Sequence, residues 1–265
     1  MKINIIFLFA ITFLIFLTII CSAQNTIGDQ STILEHKEKT ALVLNTAEYL
    51  YGNIHCKKII QYLENNGYNV TYLADDAIDL NYTKHNLKAD IIYINTHAGY
   101  LDTDGDNISD SVVIGTGERW VNETPQKHSF EYEHNMIVKG EAAGEDWVAF
   151  TPSFIEYYYH VDDLQGSLVY MATCYATYDD SMANAFLNAS ADVYIGWTKN
   201  TVFWTNSIVS VISFKLLSMG FDAKQICKLI RHGGLYNLIF GSKLTYYGDG
   251  NHTITTRKGI SLNVS

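Results

Sequence analysis

Short apolar runs alternate along this chain with segments whose apolar positions recur every three to four residues, and that alternation predicts its architecture. Residues 40–45 form an unbroken apolar run, the pattern of a strand covered on both faces. A helix is expected over 53–66, with Ile59, Ile60 and Leu63 on one side and Gly67 as its stop. Residues 68–73 alternate as a second strand, 75–87 form a crossover with one or two helical turns, and 89–96 form a third strand. Strand, helix, strand, helix, strand predicts a parallel sheet with right-handed crossovers.

The pattern then changes. Residues 100–166 are rich in Gly, Asp, Glu and aromatics, with β-like runs at 111–114, 118–121, 136–138 and 147–150 and an aromatic stretch at 154–160 that suits a short helix. This is a long insertion of hairpins and loops after the third strand, where connections commonly carry function. Regular order resumes with a strand from Leu168 into Cys174, a helix over 181–188 and a strand over 191–197. Helices over 206–218 and 222–231 and an edge strand within 243–250 complete the pattern. The fold class is α/β: a mostly parallel sheet flanked by helices, one domain spanning 40–265 with the 100–166 insertion, preceded by a polar linker at 24–39.

The N-terminus stands apart. Lys2, an almost uninterrupted apolar run from Ile5 to Ile20 and small residues at 21–23 form the pattern of a secretory signal peptide spanning 1–23. The expected location is therefore secreted or cell-surface, with membrane contact only through this segment if it stays uncleaved. Export leaves Cys56, Cys174 and Cys227, an odd count that leaves at least one thiol without an intrachain partner. Asn-X-Ser/Thr acceptors at Asn69, Asn81, Asn122, Asn188 and Asn251 suit an exported protein. With 18 Lys and Arg against 28 Asp and Glu, and no basic cluster, nucleic acid is excluded as an expected partner.

Chemistry concentrates at two strand ends. The run 90–96 stops at His97, and the run from Leu168 stops at Cys174. Consecutive parallel strands are commonly neighbours, so the imidazole and the thiol are expected side by side at the carboxyl edge of the sheet. Imidazole beside a thiol favours the nucleophilic thiolate and can protonate a departing amine. Backbone N–H groups of Gly99 and Cys174 are the expected oxyanion donors.

A second acidic stretch runs from Asp102 to Asp110. Asp102, Asp104 and Asp106 alternate, Asp110 follows, Gly105 permits a bend and Ile108 offers a carbonyl, a donor set suited to a calcium ion with a structural role. This stretch resembles the calcium loops of dockerin and thrombospondin-type repeats, with Val113 where an EF-hand carries its final Glu.

The stretches Thr96-His97-Ala98-Gly99 and Ala172-Thr173-Cys174-Tyr175-Ala176 precede Met182-Ala183-Asn184-Ala185-Phe186-Leu187, Ile195-Gly196-Trp197 and Tyr247-Gly248-Asp249. In this order they resemble the superfamily of caspases, legumains, clostripain and gingipains, with most similarity to gingipain-like members. The resemblance implies a caspase-like three-layer sandwich and an exported cysteine endopeptidase that hydrolyses protein or peptide substrates through a thioester, with His97 and Cys174 as its dyad. It also implies Trp197 and Thr198 as pocket residues. Asp179 and Asp180 add negative charge near the pocket or, equally, cap the following helix. Two positions depart from the family pattern: Ala98 stands where Gly commonly follows the histidine, and Tyr175-Ala176-Thr177 replaces a smaller run after the cysteine. They define the alternative expectation, a catalytically inactive surface binding module on the same fold.

Overall fold

The computed structural model describes residues 38–102 and 110–255. Its centre is a six-stranded sheet built from β1 (Lys39–Asn45), β2 (Tyr68–Ala74), β3 (Ile91–Asn95), β8 (Leu168–Ala172), β9 (Val193–Trp197) and β10 (Leu244–Gly248). The spatial order is β10-β9-β8-β3-β1-β2. Every pair is parallel except β10 with β9, which is antiparallel and closes one edge. The chain is thus an α/β protein with a mixed, mostly parallel sheet.

Period-2 alternation divides the core between the two faces. On one face, Ala41, Val43, Tyr93, Tyr170 and Ile195 join Cys56, Ile59 and Leu63 of one helix and Phe214 and Leu217 of another. On the other, Leu42, Leu44, Ile92, Ile94, Val169 and Met171 join Phe154, Ile155, Met182 and Phe186. The helices, in chain order, are α1 (Glu48–Tyr51), α2 (Ile54–Glu64), α3 (Leu80–Asn86), α4 (Thr124–Lys127), α5 (Ser129–Glu133), α6 (Pro152–Tyr158), α7 (Ser181–Asn188), α8 (Phe203–Ser218), α9 (Ala223–Ile230) and α10 (Leu235–Phe240). Asp79 caps α3 by accepting from the Tyr82 N–H at 2.7 Å, and Asp222 with Gln225 forms a capping box on α9.

The insertion is more regular than a set of separate hairpins. It forms an antiparallel sheet of β4 (Ala98–Leu101), β5 (Ser111–Arg119), β6 (Ile137–Ala142) and β7 (Glu145–Phe150), ordered β4-β5-β7-β6. Runs 111–114 and 118–121, expected as separate, are largely one strand. Gly115, Thr116 and Gly117 interrupt the apolar pattern, and the β5–β7 register shifts between Gly115 and Arg119. β4 starts directly after His97, where the sequence offers only four residues and no strong β pattern. α4, α5 and α10 were likewise not expected from the sequence; the last, Leu235–Phe240, is uniformly apolar apart from Asn237 and lacks the period that marks a helix.

Among the described residues, no helix is long and apolar enough to cross a membrane. Cys56, Cys174 and Cys227 are all free thiols, and burial pushes Cys56 and Cys227 up to about 12.

Candidate active site

β3 and β8 are adjacent and parallel, with Asn95 opposite Ala172. His97 and Cys174 are therefore each the second residue beyond a matched pair, at one level of the carboxyl edge. Neighbouring strands lie about 4.8 Å apart, so the two backbones leave the sheet side by side. The sequence predicts this adjacency from strand order alone.

A buried amide cluster holds the two strand ends. Asn206 of α8 donates to the Ala172 carbonyl at 2.7 Å and to Asn95 Oδ1 at 3.2 Å, and its own Oδ1 accepts from Trp197 Nε1 at 3.0 Å. Asn95 in turn donates to Asn45 Oδ1 at 2.7 Å. One side chain thus ties β3, β8 and β9 together, and β1 joins through Asn45. Thr46 adds a bond to Thr96 Oγ1 at 2.7 Å, and Thr96 donates to the Gly115 carbonyl at 2.7 Å. Buried polar groups hold fixed positions only when their partners are present, so this cluster sets where His97 and Cys174 emerge.

The thiol and the imidazole have separate neighbours. Cys174 Sγ donates to Asn200 Oδ1 at 3.0 Å and accepts from the Thr201 N–H at 3.3 Å. Burial pushes the thiol above its ordinary value, and the amides of Thr201 and of Cys174 itself pull it partly back. His97 lies between Trp147 and Tyr51, with ring centroids 6.3 and 6.4 Å away. Tyr51 stacks on Phe203 at 4.0 Å, and the Arg119 guanidinium lies 3.6 Å from the Trp147 ring while pairing with Glu145. Burial, and then the Arg119 charge, hold the His97 imidazole below its ordinary value. Its Nε2 is buried without a hydrogen-bond partner among the described residues. Both shifts favour the neutral forms, thiol and imidazole, over the ion pair.

Backbone geometry turns the Gly99 and Ala98 amides in opposite directions. Gly115 N–H bonds the His97 carbonyl at 2.8 Å, which makes His97 and Gly115 a hydrogen-bonded pair across β4 and β5. Alternation along an antiparallel ladder makes Gly99 and Val113 the next such pair, so the Gly99 N–H faces β5. Ala98 N–H points from the unpaired edge of β4, where Tyr100 packs on Tyr175 and Tyr178 of the segment after Cys174. That segment turns sharply: Tyr175 has φ 56, a left-handed conformation rare for a bulky residue. It lies so close on β9 that a Cβ at Gly196 would stand 2.6 Å from Ala176 Cβ.

The expected pocket residues are distributed otherwise. Trp197 is fully buried in the core, with its indole N–H on Asn206, and supports the strand ends from below instead of walling a pocket. Thr198 Oγ1 accepts from the Lys243 N–H at 3.0 Å, a contact between the residues just outside the paired ends of β9 and β10. Asp179 accepts from Ser181 N–H at 2.9 Å and Ser181 Oγ at 2.5 Å, so of its two expected roles the helix-end one is observed. Asp180 stands at the N-cap of α7 without a side-chain cap bond. In their place Asn200 and Thr201 contact Cys174, Tyr51 and Trp147 contact His97, and Phe203 and Arg119 pack against Tyr51 and Trp147. Only Asn200 and Thr201 carried a usable signal, as polar residues just after a strand end at the sheet's carboxyl edge.

Of the calcium donor set, Asp104, Asp106 and Ile108 lie outside the described residues. Asp102 and Asp110 are described, and the Asp110 N–H donates to the Leu101 carbonyl at 2.8 Å. A cavity of about 510 Å3 opens beside Thr46, Asp75, Asp76, Glu118 and Arg119 and includes neither His97 nor Cys174. A second, of about 220 Å3, starts at His97 and crosses the insertion sheet. No protein-family model matches this chain, and no curated protein matches its sequence.

Proposed function

We propose that this chain is an exported cysteine endopeptidase of caspase-like fold, with Cys174 as nucleophile and His97 as the group that moves the proton. The observation that carries this reading is the shared level of the two residues on adjacent parallel strands, two positions beyond Asn95 opposite Ala172. The neutral resting pair assigns the order of events. Substrate displaces the contact between the thiol and Asn200, His97 accepts the thiol proton, and Sγ attacks the peptide carbonyl carbon. Collapse of the adduct breaks the C–N bond as His97 returns the proton to the amine, and water then hydrolyses the thioester. Ala98 N–H, at the open edge of β4, replaces Gly99 as the oxyanion donor beside the Cys174 N–H; an alanine serves because only its amide is needed. Calcium bound by the Asp102–Asp110 loop would brace the start of the insertion and take no part in bond breaking.

A binding module without catalysis is the second reading. One observation favours it: Cys174 bonds Asn200 and Thr201, with no bond to His97 among the described residues. Incubation of wild type and Cys174→Ala with a broad peptide library separates the readings. Cleavage by wild type alone supports the peptidase, and no cleavage by either supports the module.

A further inference from the structure

The cavity that begins at His97 has a floor built almost without side chains. Across the insertion sheet, His97 pairs with Gly115, Gly115 with Ala149 and Ala149 with Val138, so these four share one face. Two residues along each strand, the same face carries Gly99 and Val113 on one side and Trp147 and Gly140 on the other. Glycine therefore occupies three of these positions and alanine a fourth. At Gly99 an added Cβ would meet nothing within 4 Å, so the space above it is open. Val113, Val138 and Trp147 supply apolar walls, while Lys139 and Glu141 line the far part. At about 220 Å3 the cavity is smaller than the roughly 300–1,000 Å3 of a drug-sized ligand site, and it suits a single side chain.

We infer that this groove receives the first residue beyond the scissile bond, on the leaving-group side, and selects a large apolar side chain there. The inference rests on the peptidase reading. His97 returns its proton to the departing amine, so the leaving half of the peptide must lie on the His97 side of Cys174. The groove starts at His97 and leads away from it. Its glycine floor lets an extended peptide lie close to β4 and β5, and the valine and tryptophan walls desolvate the inserted side chain without offering it a hydrogen bond.

The test uses the full chain and three sets of peptides, identical except for leucine, phenylalanine or glycine at the first position after the scissile bond. Wild type is expected to cleave the leucine or phenylalanine peptide with a kcat/KM roughly tenfold or more above that of the glycine peptide. Gly99→Val fills the open space with a strand-compatible residue and is expected to shrink that ratio to about threefold or less. Gly140→Val, whose Cβ would meet Ala149 Cβ at 3.4 Å, narrows the other end and is expected to act in the same direction. Thermal melts check that each variant is folded. Cleavage with no preference at this position, or a ratio preserved in both folded variants, overturns the groove assignment and leaves the peptidase reading standing. No cleavage of any peptide together with no covalent labelling of Cys174 overturns both.

Discussion

Asn206→Ala perturbs the fold and the site together. The Asn206 side chain is 4% exposed and makes three hydrogen bonds, to the Ala172 carbonyl, Asn95 Oδ1 and Trp197 Nε1. Truncation removes all three bonds from buried partners, at about 1–3 kcal/mol each. Partial relaxation and entry of water reduce the sum, giving an expected loss of about 3–5 kcal/mol. For a domain of this size each kcal/mol lowers Tm by about 2–4 °C, so a drop on the order of 10 °C is expected. Urea unfolding should show a lower midpoint at unchanged m, the mark of a loss of native stability. The same substitution frees the ends of β3 and β8 two residues before His97 and Cys174, so labelling of Cys174 by a peptide electrophile should also slow. A stability change below about 1 kcal/mol would refute the claim that this amide holds the strand ends.

Other expectations follow from the same contacts. Because burial raises the Cys174 thiol, its alkylation by iodoacetamide at pH 7 should be slower than that of free cysteine and should rise with pH beyond the ordinary thiol range; a fast rate at pH 6 contradicts the neutral resting pair. Burial lowers His55 to about 4, against the opposing charge of Glu48, so the unfolded chain takes up a proton that the folded chain refuses. The penalty is absent above about pH 6.5, grows as pH falls through the window between the two values, and reaches at most about 3 kcal/mol near pH 4. His55→Gln should flatten stability across that window, and an unchanged slope counts against it. Asp179→Ala should cost about 0.5–2 kcal/mol as a lost helix-end contact; altered substrate preference at full stability would restore its role as a pocket charge. Calcium added to chelator-treated protein should raise Tm, and an unchanged melting curve counts against the loop as a metal site.

The central strands were legible because strands covered on both faces are continuous apolar runs, and 40–45, 90–96 and 168–172 have few alternatives. Strand order gave the neighbouring positions of His97 and Cys174 for the same reason. The rest of the site was hidden because it depends on contacts between distant segments. Asn206 lies 111 positions from Asn95, and nothing in a helix rich in Ser and Val marks one asparagine as the tie between three strands. The sequence does not place Trp197, because an aromatic at a strand's carboxyl end can face either a pocket or the core, and a partner on the following helix decides which. The pairing of β4 with β5 directs the Gly99 amide into a ladder, which a strand of only four residues does not announce in the sequence. Asp179 had two readings of similar weight, and the Ser181 hydroxyl and amide favour the helix end.

Site-mapped covalent labelling by a thiol-reactive peptide probe tests the dyad most directly. Wild type should carry the probe on Cys174, His97→Ala should react on the order of a hundredfold more slowly, and Cys174→Ala should carry none at all. Equal labelling of wild type and Cys174→Ala, or a His97→Ala rate equal to wild type, would contradict the pairing of these two strand ends as a catalytic unit.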